Sequence, residues 1–182
     1  MANTFELIYA TTLSGSQASI SFTVIPSTYT DLCIKFSARS TSSTGNYDPL
    51  IYRFNTSATG YNVKDIGGAG SGSGTSGSNT TMTSAAATWT AGRATDYGID
   101  NGAMTASTFT NGEFYIPNYA GSSQKSFSLD YVNENNAALA HSELVAGLWT
   151  GTAAITQIDL ALYYGSFSQY SSFYLYGVNK NA

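Results

Sequence analysis

The sequence predicts an all-β fold, an antiparallel β-sandwich of jelly-roll type, and three observations carry that expectation. Apolar residues recur at every second position in one segment after another, the period of a half-buried strand. The segments are short and are separated by turn chemistry rich in Gly, Pro and Asn. No sustained apolar stripe at i, i+3 and i+4 marks an amphipathic helix. Short strands at such intervals build sandwiches and jelly rolls rather than βαβ units.

The expected strands lie near residues 5–12, 17–24, 31–40, 50–55, 80–90, 104–117, 123–133, 136–149, 153–163 and 171–178. In the second, Ala18, Ile20, Phe22 and Val24 form the dry face against Ser19, Ser21 and Thr23, and Ile25-Pro26-Ser27-Thr28 closes it. In the third, Leu32, Ile34, Phe36 and Ala38 alternate with Asp31, Cys33, Lys35, Ser37 and Arg39. Later, Phe127, Leu129 and Tyr131 alternate with Ser126, Ser128 and Asp130, and Ile158, Leu160 and Leu162 repeat the pattern. Asn118-Tyr119-Ala120-Gly121 makes a break after Ile116-Pro117, and Thr44-Gly45-Asn46 and Asn111-Gly112 supply residues that accept positive φ. Ala137 to Trp149 also admits a helical reading, but Val145, Gly147 and Leu148 between strongly β neighbours favour a strand. Gly67 to Ser78 has nothing to bury and much entropy to lose. It reads as a flexible Gly/Ser loop at about 67–79 within a single domain spanning 1–182.

Composition narrows the functional classes. Hydrophobic residues make up 42% of the chain, enough for a core, whereas charged residues make up only 10%, far below the usual quarter. A surface of hydroxyls and amides has little long-range repulsion and tolerates close packing against other protein. The net charge of −4 and the absence of a basic run argue against nucleic acid. No apolar run reaches the eighteen or so residues of a membrane span, and no signal peptide is apparent, so synthesis in a cytoplasm is expected. One cysteine, Cys33, leaves no internal disulfide and no multi-cysteine metal site.

Motifs for chemistry are weak. Gly72, Gly74 and Gly77 match G-x-G-x-x-G, but neither a following helix nor a P-loop lysine accompanies them. His141 is the single histidine, and its neighbours Ser142 and Glu143 cannot all share one face of a strand. Asp96 and Asp100 lack the EF-hand spacing and fit a solvated turn. The sequons at Asn55 and Asn79 matter only in a eukaryotic secretory pathway. No catalytic residue, cofactor or metal is therefore expected. Tyrosines are the stronger signal: Tyr163, Tyr164, Tyr170, Tyr174 and Tyr176 crowd the C-terminal strands. Phe173 and Leu175 alternate with Tyr174 and Tyr176, so both sheet faces are expected to be covered there. Tyr buries area while keeping a polar tip, and these five are candidate subunit contacts.

Several segments are familiar as a set: Asn3 to Ile8, Ile25 to Leu32, Ser37 to Ser40, Tyr115 to Gly121, Val132 to Asn136, Gly147 to Trp149 with Ala153 to Thr156, and Tyr170 to Tyr176. Together they resemble a family of small virion structural proteins of aquatic, cyanophage-like tailed bacteriophages. The resemblance spans nearly the whole chain outside the Gly/Ser stretch, and it implies a virion-associated β-protein without catalytic residues. The expectation is a capsid decoration or cement protein. It would be a homotrimer that binds copies of itself and the major capsid protein, with no nucleic-acid or membrane partner. The alternative is a tail-fibre or receptor-binding module whose aromatics stack on host glycans. A lytic or depolymerising enzyme has only an unexcluded pair of carboxylates behind it.

Overall fold

Alternation in the sequence becomes register in the structure, a computed structural model that describes residues 4–45, 47–70, 74–79, 81–83, 87, 90–93, 98–133 and 140–179. Its strands, in chain order, are β1 (Phe5–Thr12), β2 (Ser19–Phe22), β3 (Asp31–Ala38), β4 (Tyr47–Asp48), β5 (Leu50–Phe54), β6 (Tyr61–Ala69), β7 (Thr75–Asn79), β8 (Thr81–Thr83), β9 (Thr90–Arg93), β10 (Ile99–Asp100), β11 (Thr110–Pro117), β12 (Lys125–Asn133), β13 (His141–Trp149), β14 (Ile158–Leu162) and β15 (Ser172–Val178). There is no helix among the described residues, so none that is long and apolar enough to cross a membrane.

An eight-stranded sheet in the order β1-β15-β3-β11-β12-β13-β6-β7 faces a five-stranded sheet in the order β2-β14-β5-β9-β8, and every pairing is antiparallel. The chain alternates between the two: β1, β3, β11 and β15 lie in the large sheet, and β2, β5, β9 and β14 in the small one. This is the double Greek-key order of a jelly roll, with β12, β13, β6 and β7 widening one sheet. The fold is thus the jelly-roll-like sandwich expected.

Between the sheets lies one core. Leu32, Ile34, Phe36, Phe114, Ile116, Phe127, Leu129, Phe173 and Leu175 come from the large sheet, and Ile20, Phe22, Leu50, Tyr52, Phe54, Ile158, Leu160 and Leu162 from the small one. At its centre Tyr52, Phe54, Phe114 and Phe127 meet edge-on or tilted, with ring centroids 5.1 to 6.0 Å apart, the geometry that aromatic quadrupoles favour.

Three local expectations are corrected. Val24 does not continue the dry face: strand β2 ends at Phe22, and Val24 stands 89% exposed at φ 56°. Asn111-Gly112 is not a turn but the interior of β11, where Gly112 lets the Phe36 ring and the Tyr131 side chain approach closely. The stretch at about 67–79 is not a loop throughout. Gly67 to Ala69 end β6, and Thr75–Asn79 pair with it as β7, from Val63 opposite Asn79 to Gly67 opposite Thr75. A ladder is made by main-chain groups, and small residues at a sheet margin satisfy it without burying anything. Residues 71–73 lie outside the described residues. His141–Trp149 is β13, the strand favoured there over a helix; residues 137–139 lie outside the described residues.

Polar knots hold the sandwich ends. The Arg39 guanidinium donates to the carbonyls of Asn101, Met104, Thr105 and Thr108 at 2.6 to 3.0 Å. The fully buried Asp48 carboxylate accepts from Ser40 Oγ and from the amides of Tyr164 and Gly165 at 2.7 to 2.8 Å. Burial nevertheless holds Asp48 above the ordinary carboxylate range, because losing water outweighs those donors. At the other end, buried Lys125 donates to the carbonyls of Gly121, Ser123 and Thr152 and closes the turn after β11.

Candidate interaction surface

The outer face of the large sheet is where the chain presents itself. Its side chains are fixed by register: a residue opposite an outward neighbour is itself outward. On β15, β3 and β11 the outward rows are Tyr174-Lys35-Glu113 and Tyr176-Cys33-Tyr115. On β12, β13 and β6 they continue through Asp130-Leu144-Ile66, with Val132 opposite Ser142 beside them.

The two halves of this face differ. Toward β15 it is roofed by half-buried tyrosines. Tyr115 donates to Asp31 at 2.7 Å, and its hydroxyl is pushed up to about 12 by burial and then by that carboxylate. Tyr176 flanks Cys33 from the other side, and burial pushes this thiol up to about 12 as well, so it stays a protonated, inert hydrophobe. In the middle, Lys35 and Glu113 form an exposed ion pair of 2.7 Å, which contributes little to stability. Glu113 lies directly opposite Asp130, whose carboxyl is held above its ordinary range by burial first and by this like charge second.

Beyond Asp130 the face turns apolar. Ile66, Leu144 and Val132 are 59%, 58% and 51% exposed and line a shallow depression of about 690 Å³, bounded by Asp130, Gly74 and Ser76. Three large aliphatic side chains that are more than half exposed and adjacent are not the scattered singletons of an ordinary surface. Such a cluster offers apolar contact area, and Tyr131, Ser142 and Glu143 complete its lining.

The five tyrosines named from the sequence do not form one surface. Tyr174 and Tyr176 lie on β15, half-buried on the outer face. Tyr163 and Tyr164 follow β14 in an edge-to-face pair at 4.6 Å, and Tyr163 packs on Ile51 and Ala161 outside the small sheet. Tyr170 is exposed on the turn before β15 at φ 72°. The aliphatic depression escaped the sequence reading because its members come from three strands. Each is ordinary on its own, and β6 is not among the expected strands.

The remaining sequence candidates have structural employment. Asp100 is fully buried and accepts from Asn133 Nδ2 at 2.8 Å and Thr108 Oγ at 3.3 Å; Asp96 lies outside the described residues. The Asn55 side chain bonds Ala154 and Thr156 across the sandwich end. Among the described residues no group of three or more His, Cys, Asp or Glu could hold a metal ion. His141 is buried at the start of β13 beside Tyr47, with ring centroids 5.5 Å apart. Burial depresses its pKa below the ordinary 6.5, so the unfolded chain takes the proton more readily. Its contribution to stability is complete above 6.5 and is lost as pH falls through 6.5 toward the lowered native value. Melting curves between about pH 7 and pH 5 are expected to show that decline, and His141→Gln should flatten it; an unchanged slope would assign the decline to other groups.

Comparison with protein-family models, with curated proteins and with solved structures finds no match for this chain.

Proposed function

We propose that this chain is a structural protein of a tailed-phage particle, a capsid decoration protein that acts by surface contact and carries out no reaction. The observation that supports it is the aliphatic depression of Ile66, Leu144 and Val132 on the outer face of the large sheet, next to a face nearly free of net charge. A rigid eight-stranded sheet holds these side chains at fixed spacing, so docking them costs little conformational entropy. Burying the remaining exposed half of three aliphatic side chains yields roughly 3 kcal/mol before association costs. That is too little for one isolated contact and adequate when repeated over a lattice of identical sites. The sequence resemblance to virion proteins points the same way.

The test is copy number per particle, measured by quantitative mass spectrometry of purified virions against the major capsid protein. Abundance comparable with the capsid protein supports decoration. A handful of copies overturns it and moves the chain to the tail, where the exposed Tyr164 and Tyr170 become candidates for glycan stacking. A paired variant, Ile66→Lys with Leu144→Lys, is expected to fold with a melting temperature within a few degrees of the parent, since both side chains already face water. It should leave purified capsids at least tenfold less occupied. Full occupancy by this variant would remove the depression from the interface.

A further inference from the structure

Two strands bound the large sheet, and they differ in kind. β7 reads Thr-Ser-Gly-Ser-Asn and has no large apolar side chain to offer. β1 carries Phe5, Leu7 and Tyr9, three of the nine large hydrophobic side chains exposed among the described residues. Natural edge strands are usually guarded against pairing by lysine, proline or an inward charge. β1 has neither Lys nor Pro, and its single charge is Glu6.

A bulge makes this edge selective. The Asn179 amide donates to the Thr4 carbonyl and the Leu13 amide to the Ser171 carbonyl, which sets the phase of the β1–β15 ladder on both sides of the irregularity between Leu7 and Tyr9. By the alternation of antiparallel pairing, the main-chain groups of Phe5 and Leu7, then those of Ala10 and Thr12, turn to the open side. The intervals along that row are therefore two, three and two residues, from 5 to 7, 7 to 10 and 10 to 12. A regular strand offers intervals of two throughout and matches only part of the row. The same segment running antiparallel offers two, three and two again, with both bulges at the two-fold axis. Phe5 then meets Thr12 of the second copy, Leu7 meets Ala10, and Glu6 faces Thr11 rather than another Glu6.

We infer that β1 pairs with β1 of a second copy in this register, joining two eight-stranded sheets into one. The contact is isologous and closes at two copies. It sets Phe5 against Thr12 and Leu7 against Ala10 of the other copy on the outer face, next to Tyr176, on which Phe5 already packs edge-on at 6.2 Å. The inference does not rest on the virion reading.

Sedimentation of the full chain from about 1 to 100 µM, a range that brackets weak to moderate affinities, is expected to show a monomer–dimer equilibrium. Leu7→Lys, at a side chain already exposed, should keep the melting temperature and weaken association at least tenfold. Oxidation of Leu7→Cys with Ala10→Cys should give a covalent dimer, because hydrogen-bonded partners lie about 5.5 Å apart at Cα, within disulfide reach. Either single variant should stay uncrosslinked, since like positions on the two copies are then three residues, roughly 10 Å, out of register. The native Cys33 is buried and does not compete. A parent chain that is monomeric throughout, a trimer, a dimer indifferent to Leu7→Lys, or single variants that crosslink as readily as the double would each overturn the inference.

Discussion

Arg39→Ala is expected to lower the melting temperature by roughly 10–20 °C, equivalent to about 5 kcal/mol for a chain of this size. The guanidinium serves four carbonyls of residues 101–108. That of Asn101 also accepts from the Met104 amide, and that of Thr105 from the Thr108 amide and hydroxyl, all neutral donors. Each charge-assisted bond contributes about 1.5–3 kcal/mol, and a buried acceptor left dry adds its own desolvation cost, partly relieved where water can enter. The same segment is tied to the sandwich by Asn101, whose side-chain amide donates to the Thr44 and Gly45 carbonyls, and by the Gly102 amide, which bonds Ser42 at 2.6 Å. Losing the arginine therefore loosens two loops together. Arg39→Lys is not expected to rescue more than half of the loss, because one ammonium cannot match a planar fork aimed at four carbonyls. Calorimetry of the three proteins decides the matter; a loss below about 2 kcal/mol for the alanine variant would mean that the loops hold themselves.

What the sequence makes legible here is whatever depends on neighbours along the chain. Strands β3, β12 and β14 are announced by strict alternation, and their inward residues are the ones expected. Even there, alternation undercounts burial. Asp159 and Ala161 on the second face of β14 are as buried as Ile158 and Leu160, because Arg53, Ile51 and Tyr163 cover them. β6 is hidden because Asp65 takes an inward place where a hydrophobe is looked for, while Ile66 takes the outward one. β7 is hidden because a strand of Thr, Ser, Gly and Asn is defined only by the ladder it joins. Which strand forms the edge, and which outward side chains meet across strands, follow from strand order. Strand order is non-local, so neither the open row on β1 nor the aliphatic depression could be read before the sheet was assembled.

Gly147→Ala is expected to destabilise the protein by about 3 kcal/mol, close to the cost of Phe127→Ala at the position opposite it. In propensity terms a glycine in mid-strand is a weak point, and alanine ought to improve it. The packing reverses the sign. The Phe127 ring lies flat over Gly147, and a Cβ there would overlap three of its ring carbons. The ring cannot step aside, because Tyr52, Phe54 and Phe114 hold it at 5.1, 5.7 and 5.2 Å between centroids. Alanine must therefore push the phenylalanine into the aromatic cluster or move β13 off β12, and either disturbs the centre of the core. The mechanism makes a quantitative demand on the double variant. Once Phe127 is alanine, the space above residue 147 is empty, and a methyl group there fills part of the cavity instead of colliding. Phe127→Ala with Gly147→Ala should then be more stable than the sum of the single losses implies, by about 1–3 kcal/mol in a denaturant-unfolding cycle. Strict additivity would mean that the glycine is required by its backbone, and that the ring above it is incidental.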